Sequence, residues 1–212
     1  MILRDKAADL LTSLSPGTSR IALAGSIRRG MKNPKDIEIV AIPLYEHTLH
    51  FREVGLQGEM FGDRLPVPES VSLLDAELDK LYASTSWKLR ADRGAGLRAR
   101  FLIDRDGDKL DLFITDARLW GIIYTFRTGP AQFSHGLASL ALKRGWHIES
   151  GLLHRHARPV RNNRRVSCLL GEECHLIADT HEEHQVFQAL GLPWLEPEER
   201  TDTCLNQYLW GA

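Results

Sequence analysis

Cysteine is scarce. Three in 212 residues are too few, and of the wrong parity, for a disulfide framework, which agrees with a reducing compartment. Long apolar runs are missing too: none approaches the roughly 20 residues that a membrane span needs, and Met1-Ile2-Leu3-Arg4-Asp5-Lys6 has no signal-peptide core. The expectation is an intracellular, cytoplasmic protein with no membrane partner. Charge of one sign is absent overall, since 27 Lys+Arg against 28 Asp+Glu leave a net charge of −1. The chain as a whole is therefore not a basic nucleic-acid binder. The imbalance is local. Between Lys143 and Arg165 stand seven bases (Lys143, Arg144, Arg155, Arg158, Arg161, Arg164 and Arg165) and one acid, Glu149; from Glu172 to Arg200 eight acids face one base. Such asymmetry points to a local anionic partner or to a solvated surface.

What is present centres on Gly25-Ser26-Ile27-Arg28-Arg29-Gly30 and the following Asp36-Ile37-Glu38. Arg20–Ala24 is a short apolar run bounded by turn residues, which reads as a buried strand. Gly25-Ser26 turns the chain, and Ile27 to Met31 can open a helix. Free N–H groups at that helix start, the Ser26 hydroxyl and two guanidinium groups then converge, the equipment for holding phosphate oxygens. Residues 36–42 alternate into a second strand. Period two puts Asp36 and Glu38 on one face and Ile37 and Ile39 on the other. Two carboxylates side by side repel unless a cation sits between them, and Mg²⁺ with a triphosphate fits.

Along the rest of the chain, Leu3, Ala7, Leu10, Leu11 and Leu14 have helical spacing and end before Ser15-Pro16-Gly17. Residues 43–70, with prolines at 43, 66 and 68, read as a long loop or insertion with room for a short hairpin. Val71, Leu74, Leu78 and Leu81 predict a helix over 70–82. Residues 97–103 and 109–114 predict a hairpin around Asp104-Arg105-Asp106-Gly107-Asp108. That acidic turn has calcium-loop spacing without the following Glu or flanking helices, so its aspartates read as turn residues. Asp111 sits inside an apolar strand and reads either as an exposed strand acid or as a third carboxylate completing a two-metal platform, with ions roughly 4 Å apart. Helices follow over 120–126 and 131–144, then a strand and turn at 146–153. A hairpin is expected around Gly171, and a helix over 180–190 with a capping box of Thr180 and Glu183. Cys168, Cys174, His175, His181 and His184 crowd one stretch, but their spacing matches no standard zinc finger, and hairpin packing is the simpler reading.

These motifs resemble those of family X DNA polymerases, the polymerase-beta-like branch of the nucleotidyltransferase superfamily. Gly25–Gly30, a five-residue loop and Asp36-Ile37-Glu38 correspond to the family's Gly-Ser-x-Arg-Arg-Gly and Asp-x-Asp. Leu110-Asp111-Leu112 corresponds to its third aspartate. Trp120-Gly121, Phe126-Arg127-Thr128-Gly129-Pro130 and Lys143-Arg144-Gly145 follow its next motif, and Glu183 to Arg200 its closing one. The resemblance implies an α+β chain: a nucleotidyltransferase palm over 1–125 with a mixed β-sheet and flanking helices, then a small α/β thumb over 126–212, in a minimal form without the lyase domain. It implies two Mg²⁺ ions (Mn²⁺ substituting) bound by the catalytic residues Asp36, Glu38 and Asp111. Nucleotide-binding positions are Gly25, Ser26, Arg29, Lys35, Phe126, Arg127, Gly129 and Ser134. DNA-binding positions are Lys143, Arg144, Arg161, Arg164 and Arg165.

The implied function is addition of nucleotides from dNTPs to the 3′-hydroxyl of a DNA primer or primer-template, by a monomer, in DNA repair or replication. Departures set further expectations. Glu38 replaces Asp, a change known in related nucleotidyltransferases. Lys35 replaces a common Gly and can add an ammonium contact to phosphate. Phe126-Arg127 stands where a Tyr-Phe pair lies beside the sugar, and Ser134 and Ala138 stand where Asn and Arg often touch the nascent pair. The alternatives are a nucleotidyltransferase acting on RNA, a protein or a small molecule, and a catalytically idle DNA-binding module.

Overall fold

Helix α1 (Leu3–Leu14) buries Ala7, Leu10 and Leu14 along one face, the stripe that helical periodicity predicts. The computed structural model describes residues 3–54, 63–84, 87–92, 95–96, 98–149, 152–156 and 174–210. After a 3₁₀ turn come β1 (Thr18–Leu23), the single turn α2 (Gly25–Arg28), β2 (Ile37–Pro43), β3 (Tyr45–Val54), β4 (Asp63–Ser72) and α3 (Leu73–Ser84). Next are β5 (Lys88–Leu89), β6 (Ala95–Gly96), β7 (Ala99–Ile103), β8 (Lys109–Ile114), α4 (Trp120–Thr128) and α5 (Ala131–Lys143). The chain closes with β9 (Trp146–Glu149), β10 (Leu152–His156), β11 (Cys174–Ala178), α6 (Glu183–Ala189) and α7 (Asn206–Trp210).

The main sheet is mixed, in the order β1-β2-β8-β7-β5, with β6 on β7. Strands β2 and β8 run parallel and pair Ile37 with Leu110, Glu38 with Asp111, and Ile39 with Leu112. Ile37, Ile39, Leu110 and Leu112 are fully buried against α1 and α3 through Leu10, Leu14, Leu74 and Leu78. Each such side chain contributes roughly 1.5–3 kcal/mol by leaving water. Period-two alternation then obliges Glu38 and Asp111 to share the opposite face.

A second core forms from Phe133, Leu137, Leu140 and Leu153 with Val186, Phe187 and Leu190. Helix α4 serves both parts of the molecule: Trp120 packs with Ala24, Val40 and Phe113, while Ile122 joins the second core. The boundary expected at residue 125 thus falls inside a helix shared by two cores. Gly121 explains how closely α4 is held. A Cβ there would lie 2.4 Å from the Glu182 carbonyl oxygen, and its N–H donates to the Thr180 carbonyl. The architecture is the expected α+β chain, with a mixed sheet and flanking helices, consistent with a nucleotidyltransferase-like palm followed by a thumb.

Two local expectations are corrected. Residues 45–54 and 63–72 form a long antiparallel ribbon in continuous register from Tyr45↔Ser72 to Val54↔Asp63, not an irregular loop. The cap of α6 is Glu182, which forms the capping box with Gln185. Thr180 instead accepts the Ile122 N–H on its hydroxyl. Strand β11 pairs with β10; residues 157–173, where the hairpin around Gly171 and Cys168 fall, lie outside the described residues.

Candidate active site

A cleft of about 710 Å³ opens between the α2 turn and the α4–α5 junction. Among the residues lining it are Ser26, Arg29, Lys35, Asp36, Glu38, Phe126, Arg127, Gly129 and Ser134. Residues about a hundred positions apart are therefore gathered on one hollow. Gly25 does not line it but backs it. Its φ is +58°, and a Cβ there would lie 1.8 Å from Glu38 Oε2. Only glycine tolerates both the left-handed backbone and that approach. Asp111 lies one strand from Glu38 in direct register and is 9% exposed.

The three carboxylates act on one another. Burial first, then the negative charges of Asp36 and Asp111, push the Glu38 carboxyl up to about 7, against the partial relief of Arg127 and Arg29. A carboxyl in this position is short of positive charge. Arg90 gives Asp111 some, at 3.4 Å from its Oδ1, while holding Asp92 at 2.7 Å. Arg127 lies with its guanidinium carbon 3.8 Å from the centre of the Phe113 ring. Burial lowers the proton affinity of Arg29; its guanidinium donates to the Thr128 carbonyl oxygen and keeps its place on the cleft wall. The Ser26 hydroxyl is buried without a hydrogen-bond partner among the described residues. Such a group costs free energy unless something else satisfies it.

The two arginines of the turn do not converge. Arg28 points to the other part of the chain, where it meets Glu183 at 2.5 and 2.9 Å, the Thr128 hydroxyl at 2.6 Å, and lies 3.8 Å from the Tyr124 ring centre. Glu183 also accepts from the buried Arg200 at 2.6 Å. Arg20 pairs with Glu182 through two bonds, 2.6 and 2.8 Å. A long flexible side chain takes its partner from tertiary neighbours, which motif spacing does not reveal. Lys143, whose ammonium donates to the Leu209 carbonyl, and Arg144 are exposed at the end of α5. Arg161, Arg164 and Arg165 lie outside the described residues. Sequence reasoning missed Arg90, and also Asn33, His135 and Ile148 of the cleft wall, which carry no motif signal.

Residues 124–201 match the family model of the DNA polymerase beta thumb. The match supports a family X polymerase-like relationship, a DNA-polymerase-like function and DNA binding. It begins inside α4 and ends just after Arg200, so it takes in the cleft wall from Phe126 to Ser134 and the Glu183–Arg200 pair. No curated protein matches the chain.

A second acidic group lies at the β7–β8 turn. Carboxylate oxygens of Asp104, Asp106 and Asp108 fall within 4.8 Å of one another, a set that could hold a metal ion and is compatible with divalent-metal use. The Lys6 ammonium sits on all three, at 2.6, 2.7 and 2.5 Å. Asp104 Oδ1 also accepts the backbone N–H groups of Asp106 and Asp108, the bonding of an acidic turn. Among the described residues no helix is long and apolar enough to cross a membrane.

Proposed function

We propose that the cleft adds nucleotides from dNTPs to a DNA 3′-hydroxyl. The observation that carries this is the register pairing of Glu38 with Asp111 on parallel strands, beside a cleft walled by Ser26, Arg29 and Arg127. Asp36, Glu38 and Asp111 offer hard oxygen donors, with Glu38 raised by burial and then by the charges of the other two, a donor set suited to Mg²⁺ or Mn²⁺. When bound, two such ions supply Lewis-acid stabilisation of the transferring phosphoryl group. The chain's own residues do the rest. Arg29, Arg127 and Lys35 bind phosphate oxygens as charge-assisted donors, and the Ser26 hydroxyl gains the partner it lacks. Phe126, Gly129 and Ser134 form the wall against which base and sugar rest. The primer oxygen attacks the α-phosphorus, the bond to the β-phosphate bridge breaks, and pyrophosphate leaves. Asp111 assists removal of the hydroxyl proton.

In this reading residues 1–125 are the palm and 126–212 the thumb, the protein works as a monomer inside the cell, and DNA is held partly by the basic run after α5. Arginine forks contact phosphate without reading bases. The test is primer extension by the full chain, with and without template, and with dNTP against rNTP. Metal-dependent extension with release of pyrophosphate is expected. Transfer to RNA, protein or a small molecule but not to DNA would replace this reading by its nearest rival, and absence of any transfer would leave a DNA-binding module.

A further inference from the structure

The face of the main sheet that carries the acids continues past them. Glu38 is register partner to Asp111, and Asp111 to Phe101. The pairing of β5 with β7, Lys88↔Ile103 and Leu89↔Leu102, runs on to Arg90, whose N–H donates to the Phe101 carbonyl at 2.8 Å. Directly opposed residues share a face. Glu38, Asp111, Phe101 and Arg90 therefore form one row across β2, β8, β7 and the end of β5. Two residues along, the next row on that face is Lys109, Ile103 and Lys88, and both lysines are exposed. Lys88, Arg90 and Lys109 thus lie on the Asp111 side of the row. The α2 turn, with Ser26 and Arg29, lies on the Glu38 side, since it follows β1 at the other edge of β2.

That order has a chemical meaning. Neither Asp111 nor Arg90 is part of the cleft wall. In a displacement at phosphorus the attacking and leaving oxygens stand roughly in line, on opposite sides. With the triphosphate tail on Ser26 and Arg29, the hydroxyl that attacks arrives from the far side, over Asp111. A nucleic-acid strand that delivers its terminal hydroxyl there lays the phosphate one nucleotide back beyond Asp111, toward Arg90. The guanidinium is prepared for it. It crosses the β7 position to stand 3.4 Å from Asp111 Oδ1, and its side chain is only 12% exposed. Asp92 clamps the fork, accepting from Nε at 3.0 Å and from Nη2 at 2.7 Å. A fork held at both ends has lost its rotamer freedom before a ligand arrives, and each terminal nitrogen carries a second N–H. A small-molecule acceptor, with no phosphate behind its hydroxyl, makes no use of this group.

We propose that Arg90 binds the acceptor-strand phosphate nearest the reacting hydroxyl, with Lys88 and Lys109 taking phosphates further back; this rests on the nucleotide-transfer reading of the cleft. Such contacts fix the strand's position without reading its bases. The probe is a primer-template whose last primer linkage is a methylphosphonate, neutral and close in shape to the phosphate it replaces. Binding to the full chain is read by fluorescence anisotropy, and extension by initial rates. In the wild type the neutral linkage is expected to weaken binding and raise the primer KM roughly 10- to 100-fold. Arg90→Gln is expected to cost as much on the ordinary primer and to lose nothing more on the neutral one. The same neutral linkage placed well upstream is expected to multiply with Arg90→Gln instead. Arg90→Lys, which keeps the charge without the fork, is the second variant if melting shows that Arg90→Gln does not fold. There the neutral linkage is expected to cost less than in the wild type. Losses that multiply at the last linkage would overturn the role of Arg90, because a clamp that only joins Asp92 to Asp111 does not tell the two linkages apart. Extension with such multiplying losses would leave the proposed function standing. A chain that neither binds nor extends either primer would remove both.

Discussion

The molecule carries two trios of acids, and they are held in opposite ways. Asp104, Asp106 and Asp108 surround the ammonium of Lys6. Burial pushes Asp104 up, but Lys6 and the backbone donors at Asp106 and Asp108 outweigh it and hold the carboxyl below its usual range. Around Asp36, Glu38 and Asp111 the described cations include the arginines Arg29, Arg90 and Arg127, and burial, then the charges of Asp36 and Asp111, raises Glu38 to about 7. The first trio is tight in sequence, the second spans two strands far apart in the chain. The lesson is that spacing of acids says little about a metal site. What decides is whether the fold has already provided the cation.

The largest effect that would break this comparison is Asp111→Asn. It is expected to lower nucleotide addition by more than about 10²–10³-fold with the melting temperature little changed. Asp106→Asn, at a side chain 76% exposed, is expected to leave turnover at the wild-type level. A reversed result would transfer the chemistry to the β7–β8 turn.

Next in size is Lys6→Met. It strands a buried carboxylate and is expected to cost about 3–5 kcal/mol of stability by chemical denaturation. With the ammonium gone, the trio at the turn resembles the one at the cleft, and Ca²⁺ is expected to raise the variant's melting temperature more than the wild type's. Equal shifts would mean that Lys6 does not occupy a cation's place.

Arg29→Ala sharpens the contrast from the arginine side. Losing a charge-assisted bond worth roughly 1.5–3 kcal/mol is expected to raise the KM for the nucleotide about 10- to 100-fold, with DNA affinity little altered. A loss of DNA affinity at constant nucleotide KM would assign Arg29 to a DNA surface.

The smallest effect is on the pH dependence of stability. Glu38 binds its proton more tightly folded, about 7, than at its ordinary 4.5. The folded state therefore holds more protons in that window, and this group's contribution falls as pH rises from about 4.5 to 7, then levels. Asp104 has the opposite sign, its stabilisation being complete above about 3.8 and lost as pH falls through its lowered folded value. Denaturation curves at several pH values are expected to show the Glu38 slope flattened by Glu38→Gln and by Mg²⁺. A slope unchanged by both would remove Glu38 from the cation-poor trio.

Much of the fold was legible because its signals are local. Helix α1, the β7–β8 hairpin around Gly107 and the α4–α5 break at Gly129-Pro130 follow from periodicity and turn residues within a few positions. The role of Gly25 was legible only as a turn, because its clash distance to Glu38 depends on a strand twelve residues on. The pairing of Glu38 with Asp111 rests on a parallel ladder between distant segments, which alternation within each strand cannot specify. Arg28 misled for a related reason: its neighbours Ser26 and Arg29 face the cleft, while its own partner, Glu183, comes from α6. The ribbon of β3 and β4 was hidden by its prolines, and the α6 cap moved because Thr180 was needed at α4.

The parallel ladder between β2 and β8 has a consequence for how such a chain can diversify. Glu38 and Asp111 are set opposite each other by backbone hydrogen bonds of adjoining strands, and a parallel pair needs a long crossover in any case. The excursion between them holds the β3–β4 ribbon and α3, both outside that ladder. The ribbon can be lengthened, shortened or replaced without breaking a bond of that ladder, so the chain can vary there while the two acids stay opposite each other.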